Sequence, residues 1–188
     1  MHYGNLQHKR QRHASKASIR AVFAILAGKP HDQQALTEIP GAQRLRAATP
    51  DDVVIVTYDG TVLASASQAL TLGAGSVTSA SGAAGGGQVA LDAGGGTLLA
   101  AGAVDATAAG GTGGQVSLLG RQVGLLDGAV VDASGAGGGG AVRVGGGLRG
   151  QDSAYRNADA SFMAPGARIS ADATVRGDGG LVVLWGSQ

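Results

Sequence analysis

The side chains able to do chemistry are few in this chain, and they are unevenly placed. Cysteine is absent, so there is no thiol nucleophile, no disulfide framework and no Cys-based zinc or iron site. All four His lie at or before His31, all three Lys at or before Lys29, and the only Glu is Glu38. From residue 51 onward the charged groups are eleven Asp and six Arg. A general base near neutral pH would have to be an Asp in a perturbing environment. Asp105 and Asp132 occupy equivalent places in a repeat described below. Two stacked carboxylates could hold a cation, but Asp at such a place more often caps a turn by accepting backbone N–H groups. Gly177-Asp178-Gly179-Gly180 is a single, partial echo of a calcium-binding repeat. The run from Gly145 to Gly150 matches GxGxxG, yet so Gly-rich a chain produces that match by chance, and no βαβ pattern surrounds it. Arg143, Arg168 and Arg176 could hold an anion, although an isolated Arg on a solenoid face is usually solvent-exposed. These residues assign no catalytic, cofactor or metal site, and the chain is expected not to be an enzyme.

The elements that would position such residues follow from composition. Gly supplies 35 of 188 residues, aromatics 3% and charged residues 14%. Gly is not spaced every third residue and Pro numbers four, which excludes collagen. No apolar stretch reaches the roughly 18 residues of a membrane helix. With 44% hydrophobic residues and a net charge of +1, the chain is not a charged disordered segment. Charge divides near Pro50-Asp51-Asp52. Residues 1–50 hold eight Lys or Arg against two acids, and only three of the Gly. They are expected to form a basic segment, helical over about 15–27 or disordered. Its apolar run, 21–27, is short for a signal peptide. Its basic run lacks interleaved aromatics, so nucleic acid is not an expected partner.

Residues 51–188 repeat. Four copies of one pattern start at Gly75, Gly102, Gly128 and Gly166, at intervals of 27, 26 and 38. Each has β-formers, a small or Asp residue, a Gly cluster and a short apolar strand. Val89, Val116, Val142 and Val182 are equivalent, as are Leu91, Leu118, Val144 and Leu184 two residues on. Period 2 marks a strand with one buried face. A second strand runs through Val77, Val104, Val130 or Val131, and Ile169; a third runs over 97–101 and 122–126. Linkers do not keep Val and Leu in register over four copies. One repeat is therefore one turn of a solenoid, with equivalent strands stacked in parallel about 4.8 Å apart. The fold class is all-β, a parallel β-helix of about four to five coils over 51–188, with an insertion at about 148–165.

The ordered combination of Val131-Asp-Ala-Ser-Gly135, the Gly137–Gly140 cluster, Asn157-Ala158, the run from Gly166 to Ala173 and the run from Gly177 to Trp185 resembles the repeat region of bacterial exoproteins of the filamentous haemagglutinin type. The resemblance spans about 75–188. It implies a right-handed parallel β-helix, two-partner secretion through an outer-membrane pore, and a secreted or cell-surface adhesin that uses its β-helix as a scaffold for attachment to a host cell or surface. It carries over no catalytic residue and no cofactor.

Adhesive contact is expected from the insertion, which holds Tyr155, Arg156, Phe162 and Met163, because loops on rigid scaffolds often carry binding. The competing expectation has Phe162 and Met163 folding back over the coil. A β-helical polysaccharide-acting enzyme and a passive stalk are the alternative functions. Leu181-Val-Val-Leu-Trp185 lies three residues from the end. An uncovered coil there suggests a fragment of a longer exoprotein, with self-association through the C-terminal coil.

Overall fold

The computed structural model of the chain describes residues 54–58 and 60–188. The expected basic segment at 1–50, with its helix over 15–27, lies outside the described residues. Among the described residues the chain is all-β, a parallel β-solenoid with three faces.

Each coil supplies one strand to each face. The first coil is β2 (Thr61–Ser65), β3 (Ala69–Leu72) and β4 (Val77–Ser79); the second is β5 (Gln88–Asp92), β6 (Thr97–Ala100) and β7 (Ala103–Asp105). The third is β8 (Gln115–Leu119), β9 (Gln122–Leu125) and β10 (Val130–Asp132); the fourth is β11 (Ala141–Val144), β12 (Ala160–Met163) and β13 (Arg168–Ser170). β14 (Leu181–Leu184) continues the first face. That face is ordered β1 (Val54–Tyr58)-β2-β5-β8-β11-β14, the second β12-β9-β6-β3 and the third β13-β10-β7-β4. Every pairing is parallel except that of β1 (Val54–Tyr58), which runs antiparallel to β2 with Tyr58 opposite Thr61. Gly60, just ahead of β2, has φ +77°, the backbone region that favours Gly where a strand reverses.

The ladders follow the expected register. Val89 pairs with Val116, Val116 with Val142, and Val142 with Val182; Leu91, Leu118, Val144 and Leu184 align likewise. Inside the coil Val89, Val116, Val142, Leu91, Leu118 and Val144 are fully buried, as are Leu98 and Leu125 from the second face. Each such side chain contributes about 1.5–3 kcal/mol by leaving water. The Gly pairs ahead of the first-face strands serve close stacking. A Cβ on Gly114 would lie 2.0 Å from the Gly87 carbonyl oxygen, and one on Gly140 equally close to that of Gly114. Backbone rests on backbone at this corner, so no side chain fits.

Two expectations need correction. On the third face it is Thr78, not Val77, that pairs with Val104 and through it with Val131 and Ile169. Val77 points outward and is 55% exposed. The register is set by the turn that closes the strand. Ser79, Asp105 and Asp132 align, and each accepts the N–H two residues on, from Ser81, Thr107 and Ser134. A polar turn outranks a match of Val to Val. The insertion at 148–165 is also narrower than expected. Ala160–Met163 pairs in register with Gln122–Leu125, so Phe162 and Met163 belong to a regular coil strand. The added residues all precede it.

Candidate binding site on the inserted loop

In the third coil only Gly120 and Arg121 separate the first-face strand from the second-face strand; in the fourth, residues 145–159 do. The detour is pinched at its base. Ala158 N–H donates to the Gly145 carbonyl at 2.7 Å, closing residues 146–157 into a compact Ω-shaped loop. Beyond β14 the chain takes the short way round. Trp185 N–H bonds the Val144 carbonyl and Ser187 N–H the Ala158 carbonyl, so the ladder passes the loop uninterrupted.

The loop is internally tied. Residues 148–150 form a single 3-10 turn. Asp152 accepts Ala154 N–H on its carboxylate and Tyr155 N–H on its carbonyl, and the Asn157 side-chain amide donates to the Gly150 carbonyl at 2.7 Å. Arg149, at φ +57° and ψ +18°, is the one left-handed non-Gly residue among those described. That conformation costs a side chain about 1 kcal/mol or more, and the loop's bonds hold it.

The loop folds against the outer side of the first face. Tyr155 lies over Arg143, with the guanidinium carbon 4.6 Å from the ring centroid, within cation–π range. Gly150, at φ +66°, rests on the Trp185 indole; a Cβ there would lie 2.6 Å from the ring. Ser117 and Val183, the ladder neighbours of Arg143, are buried although they face outward. Leu63, on the same side of the first coil, is 41% exposed. The cover is thus local to the loop.

Arg143 is not the free surface cation that its place on an outer face suggested. Its Nε and Nη1 are buried with no hydrogen-bond partner, and so is Nε1 of Trp185. Period 2 shows that Arg143 faces outward; nothing in the spacing shows that Tyr155, twelve residues later, returns to cover it. Trp185 was legible only as the residue closing an apolar strand.

The residues expected to make contact fall on two faces. Tyr155 is half-buried on Arg143, and Arg156 beside it is exposed. Phe162 lies on the outer side of the second face, opposite Gly124, and is 57% exposed. Met163 packs against the core; of the two residues expected to fold back, only it does. The glycines of the GxGxxG match, Gly145, Gly147 and Gly150, build the first half of the loop, and Gly145 and Gly150 are at positive φ.

Asp105 and Asp132 do stack in register. Both work as turn caps, and Asp105 is the more heavily bonded: it accepts Thr107 N–H and Oγ1–H on one oxygen and Ser79 Oγ–H on the other. Among the described residues no three His, Asp or Glu gather as metal ligands do. Asp178, of the Gly-Asp-Gly-Gly run, contributes its backbone carbonyl to Gly139 N–H.

No family model matches the chain, and a search of curated proteins returns no relative.

Proposed function

We propose that this chain is a non-catalytic segment of a secreted or surface-displayed bacterial adhesin of the filamentous haemagglutinin type. The β-solenoid is the scaffold, and the loop at 146–157 is the contact surface. The repeat resemblance supports the family, the outer-membrane export partner and the extracellular location. The observation that carries the contact surface is the loop itself. It interrupts an otherwise regular coil, it is tied down by its own hydrogen bonds, and it sets Tyr155 on Arg143 and Gly150 on the Trp185 indole along one rigid face. Aromatic and Arg side chains held on a rigid frame are the residues that dominate protein contacts.

The pinched base makes the reading testable. Replacing residues 147–156 by two Gly leaves Gly145 and Ala158 able to bond, so the solenoid should melt as before. Attachment of the displayed protein to epithelial cells or coated surfaces should fall to background. Undiminished attachment by a folded loopless chain would assign the protein to the passive-stalk class instead.

A further inference from the structure

The loop's role as a contact surface leaves open what it contacts, and charge and unmet donors narrow that. Residues 60–188 carry eight Asp and six Arg, so the solenoid is acidic. Three of those Arg, Arg143, Arg149 and Arg156, lie on or directly beneath the loop. The loop's one acid, Asp152, accepts Ala154 N–H, and three Arg against this one Asp leave a net charge of +2. The loop is a cationic patch on an anionic body.

Its innermost cation lacks an acceptor. Nε and Nη1 of Arg143 are buried and unpartnered, and no carboxylate of the described residues pairs with it. A guanidinium cannot shed its proton to relieve burial. The face of Tyr155 offsets part of the cost; hydrogen bonds to an anion would offset far more. The indole N–H of Trp185 is a second buried donor without an acceptor. Arg143 pairs with Val183, and Trp185 follows two residues on, so the two are diagonal neighbours on one outer face. Both can only donate. Arg143 as a whole is partly exposed although its Nε and Nη1 are buried, so a ligand approaching from solvent meets these donors once the loop gives way.

Resting on the reading of this loop as a contact surface, we propose that Arg143, with the Trp185 N–H as second donor and Arg149 and Arg156 as outer cations, forms a site for one oxyanion group. The group is a carboxylate or a sulfate or phosphate ester, since each offers acceptors to two N–H donors at once.

Trp185 is the only Trp in the chain, so its fluorescence reports the site directly. The full 188-residue chain is titrated with acetate, sulfate and phosphate at constant ionic strength, with chloride making up the balance. A saturable change with at least one oxyanion is expected. Arg143→Gln should weaken it about tenfold or more, the loss of a charge-assisted hydrogen bond. Arg149→Gln and Arg156→Gln should weaken it less. Response to acetate alone identifies a carboxylate ligand; response to sulfate and phosphate identifies a tetrahedral ester. An effect that chloride reproduces overturns the site. So does one that survives Arg143→Gln but disappears with the two outer Arg. Should Arg143→Gln fail to fold, Arg143→Lys serves, because it keeps the charge and removes Nε; unchanged affinity there also counts against the site. Attachment lost on loop excision but retained in Arg143→Gln overturns the inference and leaves the loop's role standing. Oxyanion binding by a chain that attaches to nothing supports the site and removes the adhesive reading.

Discussion

The carboxyl of Asp105 is pulled two ways. Partial burial pushes its pKa up, but hydrogen bonds from Thr107 N–H, Thr107 Oγ1, Ser79 and Ser81 outweigh that and hold it below the ordinary 3.8. A folded pKa below the unfolded one means that the charged form stabilises the fold. That stability is fully present above about pH 4 and is lost as pH falls through the lower, folded value. Asp105→Asn keeps the shape and removes the charge. It should cost on the order of 1 kcal/mol at pH 7 and flatten the acid side of the stability profile below pH 4. Denaturant melts at pH 7, 4 and 2.5 check this. Equal acid sensitivity in the variant would place the acid-labile group elsewhere, and the turn would then be held by neutral bonds alone.

At the scale of the element, period 2 and the Val and Leu ladders were legible because burial inside a coil recurs at fixed intervals, and the first face paired as those ladders require. The first coil was less so. Val62, Ala64, Leu70 and Leu72 line the interior, but their segment lacks the Gly cluster that marked the later copies. The loop's docking was not legible at all, since it depends on where Tyr155 returns in space. Thr78 shows the same limit on a single strand. It takes the core place that Val104 and Val131 hold, and its hydroxyl is buried without a partner. Thr78→Val should therefore stabilise the solenoid by about 1 kcal/mol, by removing an unmet polar group and adding a buried methyl. Val77→Thr, on the outer side, should change stability by less than about 0.5 kcal/mol. Chemical denaturation of the two variants separates the observed register from one with Val77 inside, which predicts the reverse order.

A solenoid is held coil to coil, so its stability varies along its axis. In the middle coils the ladder residues Val116, Leu118 and Leu125 are fully buried, whereas Val182 and Leu184 of β14, at ladder positions, are 47% and 46% exposed. Amide hydrogen exchange should accordingly be slowest over β5, β8 and β9 and fastest at β14. Leu118→Ala, which empties a central ladder place at a cost of about 2–5 kcal/mol, should speed exchange throughout. Val182→Ala should speed it only near β14. The exposed apolar ladder ends of β14, the last strand of the first face among the described residues, also invite a second copy. We expect protection of β14 in the 188-residue chain to rise with protein concentration, and a larger species to appear in sedimentation velocity. Val182→Lys with Leu184→Lys should abolish both, because two charges placed at ladder ends cannot be buried against another coil without partners. Concentration-independent exchange and a single monomeric boundary would mean that solvent alone covers these side chains. The stability gradient would then stand without association.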